Sequence, residues 1–373
     1  MKYYLVAGEA SGDLHGSNLM KAIRQFDPQA DFRYFGGELM QQQGGVLVKH
    51  YRDMAFMGLF MVLANLCTIL RNMKRCKNDI AAYSPDAVIL VDFPGFNLKI
   101  AEYAHKKGFR VLYYISPKIW AWRKSRVHSI RKYVDKMYVL LPFEVEFYRQ
   151  YGVEAEYLGN PVVDAVAAAL QQPVDREYFL RTNSLSEKPI IALLPGSRRQ
   201  EISKCLPEMM AAAASFPAYQ FVIAGAPSMD RSFYEKFPGS KQIPIIFGKT
   251  YDLLRNSYAA VVVSGTATLE TGLFGVPQVV IYKPGILTYR IGILFVKIRF
   301  FSLVNLFMDK PAVKELLQFD LAEKIAGELT LLTSDAAYRR EMLQMYEQLR
   351  EKAGEPGTSA RVAEKMVAYL RNK

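Results

Sequence analysis

The sequence predicts a protein of the α/β class with two doubly wound, parallel-sheet domains, and three observations predict it. The chain has 373 residues, a length that suits two domains of ordinary size. Short apolar runs alternate with helical segments through the first half, and the same alternation starts again in the second half. The runs are continuously apolar, which is typical of parallel strands buried on both faces.

The predicted strands follow these runs in chain order. They are 3–7, 32–35, 87–91, 111–115 and 136–140 in the first half, and 190–194, 220–224, 243–247, 260–263 and 278–281 in the second. We expect an N-terminal Rossmann-like domain over 1–165 and a C-terminal one over 185–340. A C-terminal helix at about 345–373 is expected to pack back on the first domain. Two such domains facing across a cleft would bind ligands at the carboxyl ends of their strands.

The charge of the chain restricts the class of its partners. Lys and Arg number 48 against 36 Asp and Glu, which gives a formal net charge of +12. Such a surface favours phosphorylated substrates, acidic lipid headgroups or nucleic acid. No recognisable nucleic-acid module accompanies the charge, so we expect no nucleic-acid partner. Three cysteines without C-x-x-C spacing, and no signal-peptide segment, predict a cytoplasmic protein.

The sequence predicts neither a metal nor a cofactor. The four histidines form no H-E-x-x-H or Cys-plus-His cluster. An Asp-x-Asp pair, which commonly holds a divalent metal on a nucleotide sugar, occurs nowhere. Residues 248–250 resemble the end of a P-loop, but position 243 is Ile instead of Gly. We therefore expect helix dipoles and arginine to stabilise a leaving anion.

Two segments raise the question of a membrane contact. Residues 54–70 are uncharged, a run of 17 residues at the lower limit of a membrane span. We interpret this segment as a buried or cleft-lining helix, with partial insertion into one leaflet as the alternative. Residues 282–307 interleave basic with apolar and aromatic side chains, which is typical of a membrane surface or an amphiphilic substrate contact.

Loops that follow the first-half strands carry candidate site residues. The loop at 8–16 combines glycines, which allow a tight turn, with Glu9, Ser11 and Asp13 at the start of a helix. Anion binding or plain helix capping would each explain it. Asp92 directly follows a buried strand, where it could accept a proton from a sugar hydroxyl or cap the next helix.

The loop at 116–123 holds both tryptophans of the chain. The ring of Trp120 suits packing on a sugar or an acyl chain, and Arg123 suits a phosphate. A packing helix with a basic exposed face is the alternative interpretation.

Two loops of the second half predict a nucleotide site. Ser197 and Arg198 lie in a Gly-Ser turn at the start of a helix, which suits a diphosphate. Gly265 and Thr266 begin another helix after a strand, and their small size allows a phosphate to approach the first N–H groups. Glu270 follows one to two turns later, where it could accept both ribose hydroxyls.

Together these loops resemble one family, the lipid-A-disaccharide synthases, which are inverting glycosyltransferases of the GT-B architecture. The matching strings run in order through most of the chain: AGEASGDLHG (7–16), DFPGFN (92–97), YISPKIWAWR (114–123), LPFE (141–144), GNPVVDA (159–165), LPGSR (194–198), SGTATLE (264–270) and SLVNLF with VKELLQ (302–318). The ordered set is highly specific, although LPGSR and SGTATLE have loose counterparts in other GT-B enzymes.

The resemblance implies a reaction and its setting. The donor is UDP-2,3-diacylglucosamine, the acceptor is 2,3-diacylglucosamine-1-phosphate, and the products are the β-1,6-linked lipid A disaccharide 1-phosphate and UDP. Peripheral association with the inner-membrane surface is implied, and a homodimer built by C-terminal exchange is compatible with it.

The resemblance also implies residue roles. The donor side comprises Ser197, Arg198, Gly265, Thr266, Glu270 and Asn305. The acceptor side comprises Glu9, Ser11, Asp13, Asp92, Asn97, Trp120 and Arg123. Inversion needs a base on the acceptor 6-hydroxyl. Some members carry a second Asp where this chain has Gly95, so we expect Asp92 to be the base, with Glu9 and Asp13 as alternatives.

Three other functions compete with this interpretation. A UDP-sugar epimerase would share the nucleotide site without needing the apolar segments. A non-catalytic lipid or nucleic-acid binder would need no reacting groups. Another GT-B glycolipid or peptidoglycan transferase would keep the chemistry and change the substrate. The ordered motifs favour the synthase over all three.

Overall fold

The computed structural model describes residues 1–54, 65–117, 119–122, 124–285, 289 and 299–372. The chain divides into two compact units. The first comprises Met1–Pro161 with Pro356–Lys373, and the second comprises Val162–Glu355. Each unit is built on one parallel sheet.

The sheet of the first unit has the strand order β3-β2-β1-β4-β5-β6-β7 within the described residues. These strands are β1 (Lys2–Ala7), β2 (Asp31–Gly36), β3 (Val46–His50), β4 (Ala87–Val91), β5 (Arg110–Tyr114), β6 (Lys136–Tyr138) and β7 (Ala155–Glu156). The helices of this part are α1 (Ala10–Phe26), α2 (Glu38–Gln42), α3 (Leu66–Tyr83), α4 (Pro94–Lys106), α5 (Ile119–Trp122), α6 (Val127–Tyr133) and α7 (Pro142–Arg149). In the register, Leu5 lies opposite both Tyr34 and Ile89.

The continuous apolar run of β1 explains why this segment forms a central strand. Successive side chains of a strand point to opposite faces, so an apolar run feeds two cores at once. Tyr4 and Val6 belong to the apolar cluster on one face of the sheet, and Tyr3 and Leu5 belong to the cluster on the other. All four are fully buried.

The C-terminal helix α17 (Thr358–Arg371) packs on α1 in the first unit. Arg361 fixes it there, because its Nε donates to the carbonyl oxygen of Leu158 at 2.9 Å. The segment at about 345–373 contains the end of one helix and the whole of another, with a break at 354–357. Residues 345–353 end α16 (Ala336–Ala353) in the second unit, since Gly354 and Gly357 both take positive φ angles and Pro356 lies between them.

The sheet of the second unit has the strand order β10-β9-β8-β11-β12-β13 within the described residues. These strands are β8 (Ile190–Leu194), β9 (Gln220–Gly225), β10 (Ile245–Phe247), β11 (Ser257–Val263), β12 (Gln278–Tyr282) and β13 (Lys314–Leu317). α8 (Pro161–Leu170) leads in, and the unit continues with α9 (Arg176–Thr182), α10 (Arg199–Ala213), α11 (Arg231–Tyr234), α12 (Thr250–Arg255), α13 (Thr266–Leu273), α14 (Leu303–Met308), α15 (Leu321–Ser334) and α16.

The segment predicted as a buried helix at 54–70 lies largely outside the described residues, which resume at 65 with the start of α3. The stretch at 282–307 is described only in part. Among the helices that the structure describes, none is both long enough and apolar enough to cross a bilayer.

Candidate active site

Each sheet has one point at which the strand order reverses, and such switch points bind ligands in open α/β folds. In the first unit the reversal lies between β1 and β4, and in the second it lies between β8 and β11. The loops after these four strands are the ones that the sequence analysis selected at 8–16, 92–97, 194–198 and 264–266. The topology therefore brings the predicted loops together in pairs, one pair in each unit.

The two loops of the first unit touch through Gly8 and Phe93. A Cβ atom on Gly8 would lie 2.3 Å from the Phe93 ring, so only glycine allows this approach. Asp92 and Phe93 both have left-handed backbones, with φ angles of 45° and 48°. Such positions cost about 1–3 kcal/mol each and concentrate at functional sites. The turn that presents Asp92 is thus held by its surroundings.

Asn97 helps to hold the turn at Asp92 and Phe93 in place. Its Nδ2 donates to the carbonyl oxygens of Val6, Val91 and Asp92, at 3.2, 3.2 and 2.8 Å. The side chain is completely buried, and it ties the ends of both central strands to the strained turn. The structure therefore places this predicted acceptor residue behind the turn.

Asp13 lies in the first turns of α1 and is 2% exposed. Its Oδ1 accepts from the backbone N–H groups of Gly37 and Met40, and its Oδ2 accepts from that of Leu39, at 2.7–3.1 Å. These bonds cap the N-terminus of α2. Both oxygens of this candidate base are therefore bonded to backbone N–H groups. Glu9 precedes α1 in an extended conformation, and Ser11 is exposed in its first turn.

Trp120 lies in the short helix α5 and is partly exposed. Its indole Nε1 donates to Oε1 of Glu144 at 3.0 Å, and its ring meets the ring of Phe143 edge-on. Glu144 was part of a matching string, but the sequence analysis gave it no role. Arg123, the other predicted residue of this loop, lies outside the described residues.

In the second unit Arg198 occupies the N-cap position of α10, after the turn that follows β8. Its Nη1 lies 3.0 Å from Oε1 of Glu201, and both side chains are at least partly exposed. Gly196 has a φ of 102°, and a Cβ there would meet Glu201 Oε2 at 2.8 Å. The turn thus places Ser197 and Arg198 at the N-terminus of a 15-residue helix, where an anion is favoured.

Across the switch point, Gly265 is the N-cap of α13 and Thr266 is its first residue. Glu270 follows on the same helix, and its Oε1 accepts from the hydroxyl of Tyr251 at 2.7 Å. Burial raises the pKa of Glu270, and the Tyr251 bond opposes that rise. The helix start therefore offers N–H groups for a phosphate beside an oriented carboxylate.

Asn305 is 1% exposed, and both ends of its amide are bonded inside the unit. Nδ2 donates to Val313 O and to Glu315 Oε1, and Oδ1 accepts from Val313 N, all at 2.9 Å. The Glu315 carboxylate also accepts a hydrogen bond from the N–H of Phe301. The carbonyl oxygen of Phe301 in turn accepts from Ser264 Oγ at 2.8 Å. Asn305 therefore supports the loop beside α13 from behind.

No group of three or more His, Cys, Asp and Glu side chains in the described ranges is arranged to hold a metal ion.

Comparison with known proteins decides the family. The family model for lipid-A-disaccharide synthetase matches residues 3–367. The chain belongs to the lipid-A-disaccharide synthase family. The lipid-A-disaccharide synthase of Myxococcus xanthus is 41% identical over 98% of this chain and 97% of its own length. That of Syntrophus aciditrophicus is 40% identical over 96% and 95%. The chain is thus a glycosyltransferase of lipid A biosynthesis, as its motifs predicted.

Solved structures confirm the predicted fold class. The UDP-GlcNAc 2-epimerase from Neisseria meningitidis bound to UDP-GlcNAc matches all of both chains with a TM-score of 0.68 at 11% identity. CalG4, the calicheamicin glycosyltransferase, matches with a TM-score of 0.56 at 16% identity, covering 100% of this chain and 98% of its own. At these identities the likeness shows the GT-B fold of two Rossmann-like units alone. The synthase relatives, at far higher identity, favour the transferase over the epimerase interpretation.

Proposed function

We propose that this lipid-A-disaccharide synthase joins UDP-2,3-diacylglucosamine to 2,3-diacylglucosamine-1-phosphate, giving the β-1,6-linked disaccharide 1-phosphate and UDP. One observation carries the proposal. The loops that match the family flank the switch point of each sheet, so each unit has one assembled candidate site. The second unit would bind the donor and the first would bind the acceptor.

The donor site is built from two helix N-termini and two charged side chains. The diphosphate of UDP would lie at the starts of α10 and α13, where N–H groups and the helix dipoles favour negative charge. Arg198 would exchange its partner Glu201 for a phosphate oxygen, since it is nearly half exposed. Glu270 would accept the ribose hydroxyls, with its carboxylate oriented by Tyr251. The same positive ends would stabilise the departing UDP without a metal.

The acceptor site is built around Asp92. In the proposed step, Asp92 takes the proton of the acceptor 6-hydroxyl as that oxygen attacks C1 of the donor sugar. The bond from O6 to C1 forms while the bond from C1 to the phosphate oxygen breaks, and UDP leaves with the electron pair. Both oxygens of Asp13 cap α2, so we propose that its carboxylate holds the loop in place. Glu9 and Ser11 would contact the acceptor from the neighbouring loop.

The lipid substrates require a membrane surface, and α3 offers a suitable contact. Leu66 and Leu70 are exposed large apolar side chains at its start. Arg71 and Lys74 follow on the same helix and are exposed. Apolar side chains next to basic ones favour the anionic inner-membrane surface. We therefore propose a cytoplasmic enzyme bound peripherally at this surface; the homodimer implied by the resemblance stays a prediction.

The test is a reaction of the purified protein with both substrates in detergent and EDTA, followed by mass spectrometry. We expect disaccharide and UDP in equal amounts. An epimer formed from UDP-N-acetylglucosamine without any acceptor would favour the epimerase instead. If no product forms even after magnesium is added, the substrate assignment is wrong.

A further inference from the structure

Glu144 is a buried carboxylate that the proposed mechanism does not use. It lies in the first turn of α7 and is 1% exposed. Its Oε2 accepts from the N–H groups of Leu140 and Leu141, at 3.1 and 2.9 Å. Its Oε1 accepts from Trp120 Nε1 at 3.0 Å. One oxygen thus caps its own helix, and the other reaches a separate loop.

We propose that Glu144 is a positioning residue for the acceptor site, whose ionised carboxylate holds the Trp120 indole in the orientation that contacts the acceptor. This inference rests on the proposed function, because it takes Trp120 to be on the acceptor side. Glu144 acts through Trp120 and does not itself touch the substrate.

Three side chains of helix α7 contact Trp120 or the nearby Pro117 and so hold this part of the loop in place. Besides the Glu144 bond, the ring of Phe143 meets the Trp120 ring edge-on, with centroids 5.1 Å apart and planes at 80°. The hydroxyl of the buried Tyr148 donates to the carbonyl oxygen of Pro117 at 3.4 Å. Trp120 is nevertheless partly exposed. An anchored but accessible ring is what stacking on a sugar or an acyl chain needs.

The bond between Glu144 and Trp120 depends on the charge of the carboxylate. The N–H groups of Leu140, Leu141 and Trp120 donate to its oxygens, and the hydroxyl of Ser116 also faces the carboxylate. A proton would go to Oε1, which has one N–H donor where Oε2 has two, and the loss of negative charge would weaken the bond from the indole. Burial raises the pKa of Glu144 to about 7, although contacts with Leu141, Ser116 and Trp120 oppose the rise. Its ionisable neighbour among the described residues, Tyr148, has a pKa raised by burial and by Glu144, so it stays neutral at this pH.

The first arm of the test observes the bond without any substrate. The chain has two tryptophans, so protein labelled with ¹⁵N-tryptophan gives two indole N–H signals, and W122F assigns them. We expect the Trp120 signal to move with pH around 7 in the wild type and to stay fixed in E144Q. E146Q is the matched control, because Glu146 is exposed on the same helix and pairs with Arg149. A Trp120 signal that is the same in the wild type and in E144Q throughout pH 5.5 to 8.5 would overturn the inference.

The second arm measures kinetics with E144Q, W120F and the double variant. In E144Q the amide oxygen can keep the helix cap, but the amide nitrogen then faces the indole N–H, donor against donor. We expect each single variant to raise the acceptor KM about tenfold, a loss typical of one hydrogen bond to a charged group. The double variant should be no worse than either single one, because all three break the same link. The donor KM should not change.

The outcomes separate this inference from the proposed function. A wild type that forms no disaccharide contradicts the proposed function, and the signal of Trp120 still reports on Glu144. An active wild type with an unchanged acceptor KM in W120F contradicts the inference alone. W120F leaves the cap of α7 intact, so it keeps the test open if E144Q fails to fold.

Discussion

The hydroxyl of Tyr251 donates to Oε1 of Glu270 at 2.7 Å and so joins α12 to α13 beside the switch point of the second sheet. The bond fixes the direction of the carboxylate proposed to accept the ribose hydroxyls. It also links a residue that the sequence analysis selected to one that it did not.

Removing either member of the pair should weaken donor binding. We expect E270Q to raise the dissociation constant of UDP about 10- to 100-fold, because it replaces charge-assisted bonds by weaker ones. Y251F should have a smaller effect, about three- to tenfold, since it only frees the carboxylate to rotate. Titration calorimetry with UDP measures both. Y258F is the control, because Tyr258 lies at the amino end of β11, and unchanged UDP affinity in E270Q would contradict the assignment.

The same glutamate should cost the folded protein stability. Burial raises the pKa of Glu270 above that of the unfolded chain. Between the two pKa values the folded state binds more protons than the unfolded state, so stability falls as pH rises through this window. We therefore expect E270Q to melt at or above the wild-type Tm at pH 7.5 in calorimetry. A clearly lower Tm would show that the carboxylate is a stabilising group.

Arg198 should contribute to donor binding, and its neighbour Arg199 should not. R198Q is expected to raise the donor KM about 10- to 100-fold, the loss of a charge-assisted phosphate contact. The guanidinium of Arg199 stacks on Phe233 at 4.5 Å, so R199Q is the matched control. E201Q removes the competing partner of Arg198 and should leave the donor KM unchanged or lower. Equal effects of R198Q and R199Q would point to general electrostatics instead.

Substitutions of Asp92 and Asp13 should have different effects. The first should lower turnover, and the second should lower stability. D92N is expected to lower kcat about 10²- to 10⁴-fold, the usual contribution of a general base, with little change in UDP affinity. D13N should mainly lower the free energy of unfolding, by about 1–3 kcal/mol, because its oxygens accept bonds from backbone N–H groups. Steady-state kinetics and urea unfolding measure the two quantities. If D13N stops turnover without changing stability, and D92N leaves turnover intact, the assignment of Asp92 as the base is wrong.

The basic start of α3 should control membrane binding. Binding of R71Q/K74Q to vesicles with anionic lipid should weaken about 30-fold, since each basic residue near such a surface contributes about 1 kcal/mol. K106Q/K107Q is the control, because it removes the same charge from exposed positions at the end of α4. Sedimentation with vesicles measures binding. The same loss in both variants would show that net charge alone attracts the protein.

The sequence predicted the central strands well and missed three outer ones. The predicted strands at 87–91 and 190–194 match β4 and β8, because strands buried on both faces are continuously apolar. β3 and β13 lie at sheet edges, where exposed and partly exposed positions admit charged residues such as Lys314 and Lys49 that disguise the strand. β7, the opposite edge of the first sheet, has two residues, too few for any pattern.

The candidate site, like the sheets, could be predicted from the sequence only in part. Loops after buried strands could be located from the sequence, because the carboxyl ends of the strands are where open sheets bind ligands. The contacts inside those loops could not be predicted. Asp13 is bonded to the N-terminus of α2, and Asn305 to Glu315 of β13, and these partners meet only in the folded chain. Glu144 gained its partner Trp120 from 24 residues away.

The most direct measurement is the release of UDP from UDP-2,3-diacylglucosamine with and without 2,3-diacylglucosamine-1-phosphate, together with the disaccharide formed. We predict that UDP release requires the acceptor, that it equals disaccharide formation, and that D92N abolishes both while still binding UDP. UDP released at the same rate without the acceptor would contradict the proposed transfer, because the donor would then react with water.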